Sequence, residues 1–351
     1  MQVTVGNSYL NVRTGAPNVN APNNTYLNPG DTIEVDGKFY KGDSYNGINS
    51  WMKDAAGNFY WSGGISLFQS WFNDLFIPQI WQYATGTGVG VAIVDTGVQT
   101  GITDLPLANS HFVYDGSDNI SDIVGHGTYC AALVGLKKPQ NNLIGVAPDS
   151  TIYVAKIADG GSFNNNNTDS ERYAKAIDWC AGQTGVHVIS ISWGNPINDP
   201  NTKKDIQDAI SRATAANKIL VCSIGDATSY GDPTQYFPAC CDSTIGVGSI
   251  PVEHLVYPYI NNHLSVVLIG NGIDSIKIGG FMDRGAGTSW SNAIMAGIVA
   301  LIIEKLNFQY DFPAIQRIMS QLITNQDYTI RQITQTLPNL DSNKLLNFFK
   351  T

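Results

Sequence analysis

Ile123-Val124-Gly125-His126-Gly127-Thr128-Tyr129-Cys130-Ala131-Ala132-Leu133-Val134-Gly135 puts one histidine between two glycines, at the first turn of a helix of small residues. Two other stretches belong with it. The apolar run Gly88–Val94 ends on Asp95-Thr96-Gly97, and Gly287-Thr288-Ser289 opens onto a long apolar helix. An acid, a base and a hydroxyl, each at the end of a buried element, are the parts of an activated serine nucleophile. Gly125 and Gly127 take side chains away from beside the ring, which predicts room for a substrate or partner to approach it.

The chain of 351 residues suits one large domain plus a small one, or two ordinary domains. Apolar residues make up 43% and charged residues 14%, so most of it can fold around a core. A net charge of −9 argues against nucleic acid or an anionic membrane as the main partner. The apolar stretch Ala293–Ile303 is too short to span a bilayer. The start M-Q-V-T-V-G-N lacks the basic residues and apolar run of a signal peptide, so a cytoplasmic protein is expected, with secretion after removal of a signal left open. Cys130, Cys180 and Cys222 fall inside apolar patterns, and Cys240-Cys241 are adjacent. No metal-type spacing with histidine and no disulfide framework follows, which fits a reducing compartment.

Residues 1 to about 65 have a texture of their own. Short alternating stretches at Tyr9–Arg13, Thr32–Val35, Lys38–Lys41, Ser50–Lys53 and Phe59–Ser62 are separated by turn clusters such as Pro29-Gly30-Asp31. That spacing predicts a small all-β barrel or sandwich. L-N-V-R-T-G at Leu10–Gly15, L-N-P-G-D-T-I-E-V at Leu27–Val35 and S-W-M-K-D-A-A-G-N-F-Y-W at Ser50–Trp61 resemble the bacterial SH3-like domain. The resemblance implies a peptide or cell-wall ligand. Phe39, Tyr40, Trp51, Phe59, Tyr60 and Trp61 either line a groove for it or fill a small core.

From about Ser66 to residue 351 the pattern changes. Continuous apolar strands at Gly90–Val94, Ile152–Lys156, Val186–Trp193 and Ile219–Ile224 alternate with amphipathic helices at Glu171–Ala181 and Asp205–Ala216. This predicts an α/β fold with a doubly wound, mostly parallel sheet covered by helices on both faces. Ligands bind such sheets at the carboxyl ends of strands, where Asp95 falls. D-T-G is also an aspartic-protease motif, but no second D-T-G or D-S-G occurs in the chain. A serine at the start of the buried helix Ser291–Leu306 would feel its positive end, which suits a developing oxyanion.

With V-A-I-V-D-T-G-V, G-H-G-T-Y-C-A-A-L-V-G and G-T-S-W-S-N-A-I-M-A-G in this order, the region resembles a subtilisin-like serine protease. Gly145–Ile157 and Val188–Gly194 match two further family stretches. The resemblance implies Ser289 as nucleophile, His126 as general base and then acid, and Asp95 as the residue that orients the imidazole. It implies Ser192-Trp193-Gly194 as an edge on which extended substrate pairs, and Ser223-Ile224-Gly225 as the opposite wall. It requires no cofactor and allows calcium near Asp104 and Asn141-Asn142.

Three departures stand out. The family's oxyanion asparagine is replaced by Asp226, whose ionised carboxylate cannot donate a hydrogen bond. Attenuated or conditional activity follows, or else a pseudoprotease that serves as a binding scaffold. Tyr236 falls at the expected pocket floor, which would favour a small side chain before the cut. The β-rich segment stands where secreted relatives carry an inhibitory propeptide, so it is expected to cover or flank the substrate cleft.

Overall fold

The computed structural model describes residues 2–6, 8–45, 48–66, 70–102, 104–137, 143–159, 167–197, 199–226, 236–250, 265–330 and 333–351. Eight strands come first: β1 (Gln2–Val5), β2 (Leu10–Thr14), β3 (Asn23–Leu27), β4 (Thr32–Glu34), β5 (Tyr40–Tyr45), β6 (Ile48–Lys53), β7 (Asn58–Trp61) and β8 (Ile65–Ser66). They form a five-stranded sheet in the order β3-β2-β7-β6-β5 and a three-stranded sheet in the order β4-β1-β8. The predicted strands are present within one or two residues. β1 and β3 are additional, and β3 lies where the asparagine-rich stretch offered no alternation.

Next come α1 (Ser70–Asp74), α2 (Ile77–Ile80), β9 (Gly90–Asp95), β10 (Leu107–Val113), α3 (His126–Gly135), β11 (Thr151–Lys156) and α4 (Asn167–Gly182). They are followed by β12 (Val188–Ile191), β13 (Asn195–Pro196), α5 (Pro200–Ala215), β14 (Ile219–Ser223), β15 (Tyr236–Phe237), β16 (Thr244–Ser249) and β17 (Ser265–Leu268). The hairpin β18 (Asn271–Ile276) and β19 (Met282–Ala286) precedes α6 (Thr288–Lys305), and α7 (Phe312–Leu322), β20 (Ile323–Ile330), β21 (Ile333–Leu340) and α8 (Ser342–Lys350) complete the chain. The apolar strands pair side by side in a nine-stranded sheet ordered β10-β11-β9-β12-β14-β16-β17-β21-β20. Every pairing in it is parallel except β20 with β21.

One face of the sheet packs against α4 and α5, whose apolar residues Tyr173, Ile177, Ile206 and Ile210 meet Ala92, Val94, Ile189 and Leu220. The other face receives α3 and α6. Burial of α6 is complete along Ala293–Ile303, consistent with a helix that has no polar face. Its start at Thr288, three residues earlier than the apolar run indicates, places Ser289 inside the first turn.

The β-rich segment packs through Phe39 on Trp81, with ring centroids 5.4 Å apart, and through Gln82 Nε2 donating to Asn49 Oδ1. Trp81 Nε1 in turn donates to Val146 O, and Val146 packs against Gly297 in the middle of α6. These contacts run to the α2 region and not to the Ser192–Gly194 segment expected to bind substrate. Val3, Val5, Leu10 and Met52 share one continuous buried cluster with α6.

Glu304, near the far end of α6, holds the turn that leads into β9. Its Oε2 accepts hydrogen bonds from the backbone N–H groups of Thr85 (2.8 Å), Gly86 (2.6 Å) and Thr87 (3.0 Å). Glu304→Ala leaves these donors without their acceptor and is expected to cost about 2–3 kcal/mol. A fall in the guanidinium midpoint with unchanged slope checks this.

Candidate active site

Asp95 ends β9 at the carboxyl side of the sheet and is 1% exposed. His126 opens α3, with Nδ1 lying 2.8 Å from Asp95 Oδ1 and 2.9 Å from Oδ2. A carboxylate at that nitrogen selects the tautomer with the proton on Nδ1 and leaves Nε2 to exchange protons.

The glycines beside His126 serve packing rather than access. A Cβ on Gly127 would collide with the carbonyl oxygen of Gly97 and press on Asp95, while Gly125 faces Lys277 and Ile278. The predicted space is therefore filled by protein: the glycines let the Asp95 loop, α3 and the β18–β19 hairpin close on one another.

Asp122, which the sequence reading did not single out, organises this junction. Its Oδ1 accepts from Thr96 Oγ1 (2.9 Å), Val124 N–H (2.9 Å) and Gly125 N–H (2.8 Å). Its Oδ2 accepts from Thr128 N–H (2.9 Å) and Thr128 Oγ1 (2.7 Å). Thr96 Oγ1 also accepts from Gly127 N–H at 3.0 Å. One buried carboxylate thereby ties the loop carrying Asp95 to the helix carrying His126. The available signal was an acid four residues before the histidine, ahead of a glycine turn.

Ser289 is the second residue of α6 and is 7% exposed. Its Oγ donates to Ser192 O at 2.9 Å, and Ser192 Oγ donates back to Ser289 O at 3.1 Å. Asn292 Nδ2 donates to Ser190 Oγ (3.1 Å) and Ser192 Oγ (3.2 Å), so the end of β12 is stitched to the start of α6. The residues next in sequence, Trp193 and Trp290, meet the His126 ring edge-on with centroids 5.6 and 5.5 Å away. Trp290 also packs against Tyr129, whose hydroxyl donates to Ile273 O and accepts from Gly285 N–H.

Across from Ser192, Ser223 is buried at the end of β14, and Gly225 takes a φ of 90° just before the exposed Asp226. Asp226 Oδ1 accepts from Thr288 N–H at 2.6 Å. Its Oδ2 lies over Gly287, where a Cβ would approach to 2.7 Å. The carboxylate therefore caps the positive end of α6 immediately beside Ser289. Trp193 and Gly194 are half-buried, in a segment that continues past β12 into β13. Tyr236 lies in β15, paired with Pro196, but its side chain and the loop 227–235 are outside the described residues.

Electrostatics favour a positive ring. Burial pulls the His126 pKa down, but the adjacent Asp95 carboxylate, with the charges of Asp122 and Asp226 behind it, outweighs burial and raises the net value. Cys130, one helical turn along α3, is buried and its thiol is pushed well up by desolvation. The donor atoms of Asp95, His126 and Cys130 lie within 4.8 Å of one another. The five cysteines are unpaired. Asp104 precedes β10 and offers its carbonyl to Lys137 N–H, and it joins no group of three candidate metal ligands among the described residues. Asn141-Asn142 lie outside the described residues. No helix among the described residues is long and apolar enough to cross a membrane.

A sequence model of the Subtilase family matches residues 86–343. The chain is 28% identical over 280 residues to the major intracellular serine protease of Bacillus subtilis, covering 77% of this chain and 82% of that protein. It is 27% identical over 246 residues to an intracellular serine protease of Paenibacillus polymyxa, covering 67% and 72%. In fold it is similar to a protease of Pseudoalteromonas arctica, with a TM-score of 0.65 at 19% identity over 81% of this chain and 98% of that one. The chain belongs to the subtilase family and is a subtilisin-like serine endopeptidase.

Proposed function

We propose that Ser289, His126 and Asp95 carry out peptide-bond cleavage through an acyl-enzyme. The observation that carries this reading is the placement of His126. Tethered to Asp95, its ring is bracketed by Trp193 and Trp290, the neighbours of Ser192 and Ser289. An extended peptide pairs along Ser192–Gly194, with Ser223–Gly225 as the facing wall. Ser289 Oγ turns from Ser192 O toward Nε2 of His126, gives up its proton and attacks the scissile carbonyl. The imidazolium is held by Asp95 and returns the proton to the leaving amine. Water then repeats the sequence on the acyl-enzyme.

The tetrahedral oxyanion forms at the start of α6, where first-turn N–H groups point. Asp226 stands there in place of a side-chain donor. Ionised, it opposes the oxyanion; protonated, it can donate. Loss of such a donor costs on the order of 10²–10³ in kcat, so the enzyme is attenuated rather than inert. Tyr236, if it closes the pocket floor, selects small side chains before the cut.

Residues 1–65 are proposed to form an SH3-like domain and 66–351 the catalytic domain. The eight strands and their two sheets support the first assignment. Calcium near Asp104 would have that one carboxylate to hold it, with carbonyl oxygens supplying the rest. The relatives named as intracellular support a cytoplasmic site of action.

Wild-type protein is expected to cleave casein and to be labelled by a peptidyl phosphonate. Ser289→Ala should lose both, and labelling retained in that variant would remove Ser289 from the reaction. Asp226→Asn restores a donor and should raise kcat at neutral pH by on the order of 10-fold or more. His126 must be neutral to accept the proton, so its raised pKa puts the acidic limb of kcat/KM above that of an ordinary imidazole. Asp226→Asn removes one of the charges that raise it, and the limb should move to lower pH. Asp122→Asn should move it the same way while lowering kcat about 10-fold, because the helix and loop lose their common anchor. A pH–rate profile separates these effects.

A further inference from the structure

A second cavity lies where α1, the end of β17, the root of the β18–β19 hairpin and the end of β21 meet. It has a volume of about 380 Å³, within the range of small-ligand sites. Leu75, Ile250 and Leu340 give it apolar walls. Two polar atoms among its lining residues are buried without a hydrogen-bond partner: the indole Nε1 of Trp71, a residue 5% exposed, and the amide Oδ1 of Asn339. One can only donate and the other only accept. Leaving such groups unpaired in a buried place is costly, and native proteins keep few of them.

We propose that this cavity is a binding site for a short peptide segment with an apolar side chain. A peptide group carries one acceptor and one donor, which matches Trp71 Nε1–H and Asn339 Oδ1, while the apolar walls take the side chain. The site shares no residue with the Asp95–His126–Ser289 cleft, and the inference is independent of the reaction proposed for it. It nevertheless touches the element that carries the serine. Asp274 and Arg284, which line it, pair across the two strands of the hairpin through Arg284 Nε to Asp274 Oδ1 (2.6 Å) and Nη2 to Oδ2 (2.8 Å). From Arg284 the chain runs directly through Gly287, anchored by its N–H to Gly270 O at 2.9 Å, into Ser289.

The test is a calorimetric titration of the full chain carrying Ser289→Ala with N-acetyl-leucinamide, which has the side chain and both amide functions. Saturable binding is expected, and Trp71→Phe, which keeps an aromatic ring and removes the N–H, should weaken it about 10-fold. Asn339→Leu should weaken it similarly, and serves if the Trp71 variant does not fold. N-acetylglycinamide, which lacks the apolar side chain, should bind more weakly than N-acetyl-leucinamide. Unchanged affinity in the folded variants, no saturable binding, or equal affinity for isopentanol, which has no amide, would overturn the proposal. No turnover is needed, so failure here is distinct from failure of the catalytic reading.

Discussion

The complete burial of α6 is the constraint on which the rest depends. A helix with apolar residues on every side is stable only if protein surrounds it. The sheet lies on one side of it, through β12, β14 and β16, and α3 on the other. Once the helix is enclosed, its first turn has one position, at the carboxyl ends of the strands. Ser289 sits in that turn, so its place is set by the packing of residues as far along as Ile303. Asn292, fully buried one turn later, locks the register by reaching Ser190 and Ser192 on β12.

The second constraint is ionic. Asp95 and Asp122 are both buried, and burying a carboxylate costs several kcal/mol unless it is hydrogen-bonded. Asp122 meets that cost with backbone and hydroxyl donors drawn from two separate segments. Asp95 meets it partly with Thr96 N–H at 2.7 Å and partly with the His126 ring. Each carboxylate is therefore satisfied only when the loop and α3 are both in place. The same charges that raise the basicity of His126 also hold it still. Asp226 differs from both: it is exposed and bound to Thr288 N–H, so its charge acts on the site without being needed to build it.

Much of this was legible in the chain itself. β9, β11, β12 and β14 stand out as unbroken apolar runs because both their faces are covered, and α6 because nothing on it is polar. The serine, histidine and aspartate lie at the ends of those elements, where sequence breaks are sharp. Less visible were features made by pairing alone. β20 (Ile323–Ile330) has few apolar residues and no alternation, and it exists through its register with β21. The segment from Ser70 to Tyr83 carries large apolar residues throughout, yet it splits into α1 and α2 at Phe76, whose φ of 56° stops the first helix. Asp122 left little trace because its partners are mostly main-chain N–H groups, which every residue but proline possesses.

The hydrogen bond from Ser289 Oγ to Ser192 O gives the unliganded site a resting state. On the proposed reading, that carbonyl is also one of the acceptors an extended substrate needs along Ser192–Gly194. The substrate's own N–H then competes with the hydroxyl for it. Docking of a full-length peptide and arming of the nucleophile become one event, and idle reaction with small electrophiles is suppressed. Fragments too short to reach Ser192 would be penalised in turnover more than in binding, since the strand contact that holds the peptide also frees the hydroxyl.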